Sequence, residues 1–192
     1  MKKQEGIIRC SWCLKDDLYM DYHDNEWGKP SYDDRHLFEM LVLESFQAGL
    51  SWYTILAKRE NFREAFNQFD PELISKYGEN KVEELMQNAG IIRNRLKILA
   101  TINNAKVFLR LQNEYGQFSK YIWKFTDYKV IDRNPKTMKD VPAITVISDE
   151  MSKDMKKQGF KFMGSTVCYA NMQSIGMVND HITIVFAENK TK

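Results

Sequence analysis

The sequence lacks the features that mark secreted and membrane proteins. It has only three cysteines in 192 residues, Cys10, Cys13 and Cys168, and an odd number gives no disulfide framework. No apolar run approaches the roughly 18 residues of a membrane span, and the N-terminus holds no apolar stretch of signal-peptide length. We therefore expect a cytoplasmic protein with no membrane partner, whose cysteines are free thiols or metal ligands.

Conventional catalytic motifs are missing as well. The sequence has no nucleophile elbow, phosphate-binding loop, paired-carboxylate signature or HExxH. The net charge is only +2, which permits nucleic-acid binding through a local patch but does not indicate it. The hydrophobic fraction of 43% is ordinary for a globular protein that can bury a core. Composition alone therefore excludes few functions.

Most of the sequence has the apolar periodicity of α-helices. Without repeats, linkers or low-complexity tracts, the sequence predicts one all-α domain over residues 1–192. Asp33 or Asp34 is expected to cap the helix that Gly49 ends, and Asn80 to cap a later one. Residues 126–147 are expected to form a loop, and residues 181–186 (HITIVF) alternate like a strand without an evident partner. The predicted helices cover about 34–48, 52–66, 81–89, 93–112, 115–125, 148–157 and 165–177.

The stretch AGIIRNRLKILA (89–100) predicts a helix-hairpin-helix over about 81–109. One helix ends at Gly90, and the next begins among Arg93, Arg95 and Lys97. Such a turn exposes the first N–H groups of the second helix, where the helix dipole and nearby cations favour a phosphate. An ordinary pair of packed helices with a solvated basic face gives the same pattern, and this segment alone favours that simpler interpretation.

Glu44 lies on the most hydrophobic predicted helix, on the same face as Leu37 and Leu41. An unpaired buried carboxylate is costly, so either Lys58 or Arg59 pairs with it or it serves a ligand. Aromatic rings are usually core, but rings around one buried acceptor also suit a flat heterocycle. Both explanations stay open at this point. The aromatic residues concerned are Trp12, Tyr19, Tyr22, Trp27 and Trp52.

Four residues have the character of zinc ligands. Cys10 and Cys13 have metal-ligand spacing, and His23 and His181 stand towards opposite ends of the chain. A zinc ion held by these residues would tie the two terminal segments together as a structural site. Alternatively, both cysteines are free thiols and His23 makes hydrogen bonds within a loop.

Taken together, these segments resemble the DNA-3-methyladenine glycosylase I family, along nearly the whole chain from Arg9 to His181. Several long motifs in the same order make the resemblance specific. Its most telling segments are RCSW (9–12), YHDNEWG (22–28), LFEM (37–40), LES with QAGLSW (43–45 and 47–52), KRENFR (58–63), AGIIRNR (89–95), GFKFMGSTVCY (159–169) and NDH (179–181).

The resemblance implies a helix-hairpin-helix DNA glycosylase that removes N3-methyladenine from alkylated double-stranded DNA, leaving a free base and an abasic site. Glu44 would then be the catalytic residue, acting by recognition and electrostatic stabilisation rather than as a general base. Tyr22 and Trp52 would bind the base, with Trp27 and Trp12 as neighbouring rings. We expect the protein to act as a monomer.

The resemblance also assigns the contacts with DNA. The hairpin would hold the phosphate backbone, and the end of the helix that carries Glu44 would fill the gap left in the base stack. The residues concerned are Gly90, Ile91, Arg93 and Arg95 for the backbone, and Gly49 and Leu50 for the gap.

The family's zinc site is matched only in part. Cys10, His23 and His181 match three of its ligands, but the fourth position, four residues after His181, is Val185, which cannot bind a metal. We expect zinc to be present with Cys13 as the substitute ligand.

Two other functions compete with the glycosylase. A non-catalytic module could keep the hairpin and use the pocket only to sense damaged DNA, but the presence of Glu44, Tyr22 and Trp52 argues against it. A zinc-dependent hydrolase would need an open metal position and a general base beside the histidines, and the sequence offers neither.

Overall fold

Helices dominate the computed structural model, which describes residues 9–182, so the all-α prediction is confirmed. Within that range no helix is both long enough and apolar enough to cross a bilayer. The α-helices are α1 (Asp17–Asn25), α2 (Asp34–Gln47), α3 (Trp52–Leu56), α4 (Arg59–Ala65), α5 (Pro71–Ile74), α6 (Glu79–Gln87), α7 (Arg95–Tyr115), α8 (Phe118–Trp123), α9 (Val146–Gln158) and α10 (Ser165–Ser174).

Helix α2 forms the centre of the core. Every residue from Leu37 to Phe46 is buried, and the helix packs against α3, α7, α8 and α10. Asp33 caps it by accepting a hydrogen bond from the His36 N–H at 2.7 Å. Asp34 instead accepts from the backbone N–H groups at the start of α8, at 2.8 Å each. Two consecutive aspartates thus cap two different helices.

Helices α6 and α7 form the predicted hairpin. The Asn94 side chain caps α7 by accepting from the Lys97 N–H at 3.2 Å, whereas Gly78 is the N-cap of α6, so the prediction that Asn80 caps this helix is wrong. In the turn, the Gly90 N–H donates to the Asn88 side chain at 2.8 Å. A β-carbon at Gly90 would lie 2.9 Å from the same oxygen, so a side chain there would displace the Asn88 side chain from this hydrogen bond.

The predicted helix over 52–66 is two helices, α3 and α4, which meet at Ala57 and Lys58.

The segment 126–147 is mostly irregular, but it contains strand β1 (Ile131–Asp132) and a 3₁₀ turn over Met138–Asp140. Strand β1 pairs in parallel with β2 (Val178–Asn179). Sequence alternation missed this sheet because two-residue strands carry no period. The predicted strand at 181–186 lies mostly outside the described residues.

Candidate active site

A cavity of about 220 Å³ opens between α1, α2, α3 and α10. The value is below the roughly 300–1,000 Å³ typical of sites for drug-sized ligands, which suits a small ligand such as a single base. The lining residues are Trp12, Tyr19, Tyr22, Trp27, Glu44, Gln47, Trp52, Met138, Val141, Ala170, Gln173 and Asp180. The structure therefore gathers Glu44 and all four predicted base-binding rings around one space.

Glu44 brings an acidic group to this cavity from the buried face of α2. Its side chain is almost fully buried, and its Oε2 atom has no hydrogen-bond partner among the described residues. Burial raises the pKa of Glu44 to about 8, and the Ser174 hydroxyl offsets this only in part. At neutral pH the protonated, uncharged form of Glu44 is therefore favoured.

Aromatic rings form the walls of the cavity. The Tyr22 and Trp52 rings lie with centroids 5.4 Å apart and planes at 46°, while the Trp12 ring meets Trp27 edge-on at 5.0 Å. The buried Nε1 of Trp52 also has no hydrogen-bond partner within residues 9–182. The cavity thus presents aromatic faces, the unpaired Trp52 donor and the unpaired Glu44 carboxyl, a set that fits a flat polar heterocycle.

Neither basic residue that could have neutralised Glu44 does so. Arg59 donates to Glu26 at 2.6 and 2.8 Å and to Glu39 at 2.7 Å. Lys58 donates to the carbonyl oxygens of Ala89 and Gly90, at 3.2 Å each. The simple explanation of Glu44 as half of an ion pair is therefore wrong, and the carboxyl is open to a ligand.

The predicted DNA-binding residues of the hairpin differ in their exposure and in their partners. Ile91 is buried and belongs to the core, whereas Arg93 is exposed. Arg95 forms ion pairs with Glu79 and Glu83 of α6, so it holds the two hairpin helices together. Arg93 is therefore the better placed of the two arginines to meet a phosphate.

The end of α2 forms a tight turn that begins at Gln47, a residue of the cavity lining. The Leu50 N–H donates to the Gln47 carbonyl at 2.6 Å, and Gly49 has a φ of +85°, which favours glycine. Leu50 is 42% exposed although it is a large apolar residue. Leu50 is thus an exposed apolar residue close in sequence to Gln47, which lines the cavity, and its entry into a base stack stays a prediction.

Comparison with known proteins identifies the family. A sequence model described as methyladenine glycosylase matches residues 12–188. This chain belongs to that family. It is 48% identical over 174 residues to DNA-3-methyladenine glycosylase 1 of Escherichia coli K12, covering 91% of this chain and 93% of that protein.

Solved structures of the family have the same fold. A crystal structure of 3-methyladenine DNA glycosylase I is 49% identical, with a TM-score of 0.89, over 92% of this chain and 97% of that one. A variant of 3-methyladenine DNA glycosylase I in complex with 3-methyladenine is 36% identical, with a TM-score of 0.88, over 91% and 94% of the two chains. The resemblance of the sequence to the DNA-3-methyladenine glycosylase I family is therefore confirmed.

The predicted zinc ligands are not gathered into a complete site among the described residues. The His23 and His181 rings are 4.9 Å apart, but the Cys13 thiol donates to the Cys10 carbonyl at 3.1 Å, and burial raises the pKa of Cys13 to about 11. Within residues 9–182 no group of three such side chains is arranged to hold a metal ion. Val185 lies outside that range, and zinc binding stays a prediction.

Sequence reasoning missed part of the cavity wall. Met138 and Val141 line it from the irregular segment before α9, and the only signal was two apolar residues in a polar stretch. Asp180 also lines the cavity, where it accepts from Tyr169 and from Gln173, the latter at 2.8 Å. Asp180 belongs to the NDH motif (179–181), and that motif is the sequence signal that points to it.

Proposed function

We propose that this methyladenine glycosylase is a monofunctional enzyme that hydrolyses the N-glycosidic bond of N3-methyladenine in alkylated DNA, releasing the free base and leaving an abasic site. The observation that carries the proposal is the buried, unpaired carboxyl of Glu44 inside a cavity walled by aromatic rings. The complex of a family member with 3-methyladenine supports the choice of base.

Recognition begins with the cost of removing the base from the helix. Extrusion from duplex DNA costs a few kcal/mol in lost stacking and pairing, and the cavity must recover that free energy. N3-methylation leaves the adenine ring of the nucleotide positively charged. The Tyr22 and Trp52 faces attract such a cation by about 0.5–2 kcal/mol, an attraction that unmodified adenine does not share.

The charged ring also changes the state of Glu44. An adjacent positive charge favours ionisation, so entry of the cationic base promotes loss of the proton that Glu44 holds in the empty cavity. The resulting carboxylate accepts hydrogen bonds from the donors on the adenine edge. Base binding and proton release are therefore coupled.

Bond cleavage needs little further help. When the N-glycosidic bond breaks, its electron pair stays on the base and neutralises its charge, while water adds to the sugar carbon and loses a proton. A carboxylate beside the separating charges stabilises the positive sugar. The other carboxylate of the cavity, Asp180, accepts hydrogen bonds from Tyr169 and Gln173 on one oxygen, while its other oxygen has no hydrogen-bond partner among the described residues but lies 3.4 Å from Arg133. Because Arg133 compensates the charge of Asp180, we assign the catalytic role to Glu44.

DNA contacts complete the proposal. The backbone N–H groups of the turn around Gly90 and Ile91, together with Arg93, bind the phosphate backbone of double-stranded DNA. Gly49 and Leu50 occupy the gap that the extruded base leaves. The protein acts on the duplex as a monomer.

The activity is tested by incubating methylated duplex DNA with the protein and separating the released bases by chromatography. We expect free 3-methyladenine and DNA that breaks at abasic sites under alkali. Tight binding to methylated DNA without release of any base would instead support a non-catalytic damage sensor. N3-methylguanine in the same chromatogram would show whether a second alkylated purine is accepted.

We propose in addition that zinc is held by Cys10, His23 and His181 with Cys13 as the fourth ligand, and a metal assay tests this. The purified chain should hold close to one zinc ion per molecule, and Cys13→Ser should lower that content. Only trace zinc in the unaltered protein would contradict the idea. Any zinc bound there would be structural, and no step of the reaction depends on it.

A further inference from the structure

Lys97 occupies a place where a cation is disfavoured twice. It lies in the first turn of α7, at the end of the helix dipole that repels positive charge. It is also only 6% exposed, and burial of an ammonium group is costly without compensating hydrogen bonds. Within residues 9–182 no carboxylate pairs with it. A lysine so placed must make another stabilising interaction.

That interaction is with the end of α2. The Lys97 Nζ donates to the carbonyl of Phe46 at 2.8 Å and to the carbonyl of Ala48 at 2.7 Å. The last carbonyls of a helix have no partner within the helix, and a cation suits the negative end of its dipole. The two carbonyls flank Gln47, which lines the cavity, and they immediately precede Gly49 and Leu50.

At its other end, Lys97 belongs to the hairpin. Its own backbone N–H is bound by the Asn94 side chain, which caps α7 directly after the turn. The hairpin turn, the first turn of α7, the lysine side chain and the end of α2 therefore form one continuous set of contacts. These contacts link the hairpin turn to the two residues that flank Gln47, which lines the cavity.

We propose that Lys97 is a positioning residue, which fixes the turn over residues 47–50 relative to the hairpin so that DNA held by the hairpin presents its damaged base to the cavity in register. The proposal rests on the glycosylase function proposed above. Because the residue is 6% exposed and its Nζ donates to two carbonyls, we assign Lys97 no contact with a phosphate. Losing it should slow excision from bound DNA without weakening the binding of DNA.

The test compares Lys97→Met with Lys106→Met, which removes the same charge from an exposed position of the same helix. Three quantities are measured: the single-turnover rate of base release at saturating methylated duplex, the affinity for that duplex, and the affinity for free 3-methyladenine. For Lys97→Met we expect the rate to fall tenfold or more and both affinities to stay within about twofold. Lys106→Met should leave all three unchanged.

The other outcomes overturn the proposal in distinct ways. A parallel loss of affinity for the free base would mean that Lys97 only supports the cavity wall. Weaker duplex binding with a normal rate and a smaller salt dependence would mean a phosphate contact. An unchanged rate would mean that the lysine has no part in the reaction.

Two further controls keep the test decisive. If Lys97→Met does not fold, Lys97→Gln, which keeps one donor group, is judged by the same three measurements. Base release by the unaltered protein is measured first, so failure of the proposed function is seen independently of any result at Lys97.

Discussion

Two glutamates of α2, five residues apart, are both buried but have opposite surroundings. Burial acts to raise the pKa of Glu39, but hydrogen bonds from Arg59 and Arg63 outweigh it, and the net shift is downward. Glu44 has no such cation, and burial raises its pKa to about 8. Helix α2 therefore carries one carboxylate, Glu39, whose charge is compensated by arginines, and one carboxyl group, Glu44, that has no cation beside it.

The difference separates what stabilises the fold from what serves the ligand. Glu39 joins α2 to α4 through a network of charged groups, and Arg59 extends that network to Glu26 at the end of α1. Glu44 costs stability because its charged form is not compensated in the empty cavity. Sites that break a rule of good packing are where function is expected, and replacing each glutamate with glutamine tests the contrast.

The largest effect is expected from Glu44→Gln. The variant keeps the shape of the side chain but cannot become an anion, so it loses the complement to the cationic base and to the positive sugar. We expect the single-turnover excision rate to fall by about a thousandfold, which corresponds to roughly 4 kcal/mol. An excision rate within a few fold of the unaltered protein would contradict the role assigned to Glu44.

Glu39→Gln should show the reverse pattern. Removing one partner of a buried ion pair leaves the arginines uncompensated, so we expect the free energy of unfolding to fall by about 3 kcal/mol. Because Glu39 is not among the residues that line the cavity, excision well below the melting temperature should change by less than about threefold. Chemical denaturation and excision assays on the same preparation measure both quantities.

A smaller effect is expected in the pH dependence of stability, and its direction follows from the raised pKa of Glu44. Glu44 keeps its proton up to about pH 8 in the folded protein but loses it near the ordinary pKa of 4.5 in the unfolded chain. Between these two pH values folding takes up a proton, and the free energy of unfolding therefore falls as pH rises. Glu44→Gln lacks this loss. We expect its stability to exceed that of the unaltered protein by a margin that grows by about 2 kcal/mol from pH 6 to pH 8, as followed by denaturant unfolding. A constant margin would mean that Glu44 is not raised in pKa.

The two hairpin arginines differ in the same way at the surface, where one is ion-paired and the other is exposed. Replacing them is expected to have the smallest effects of the changes considered. Arg93 is exposed, whereas Arg95 is paired with Glu79 and Glu83. We expect Arg93→Gln to weaken duplex binding and to reduce the salt dependence of affinity by about one phosphate contact. Arg95→Gln should lower stability by less than about 1 kcal/mol and leave the salt dependence unchanged. Equal salt dependence in both variants would contradict the distinction.

Local signals in the sequence predicted much of this structure. The apolar pattern of α2 and its cap at Asp33 depend on neighbouring residues, and both are where the pattern predicts them. Contacts between distant residues were not predictable: Asp34 caps α8 across more than 80 residues, and Arg59 pairs with Glu26 and Glu39 rather than with Glu44.

The cavity shows the same limit. The rings of Tyr22 and Trp52 were assigned from the family pattern, and the structure places them together. Met138 and Val141 were not assigned, because a residue in an irregular segment reaches a cavity only through the path of the whole chain. The rings that the family motifs name were therefore predictable, and Met138 and Val141, which lie in no such motif, were not.

The central claim is that an ionised Glu44 selects the cationic base, and the pH dependence of kcat/KM for release of 3-methyladenine from duplex DNA tests it most directly, since that ratio reports ionisations of the free enzyme. Between pH 6 and 9 the account predicts a rise with a midpoint near 8 in the unaltered protein and a low, flat profile in Glu44→Gln. A profile of the unaltered protein that is flat, or that falls over this range, would contradict it.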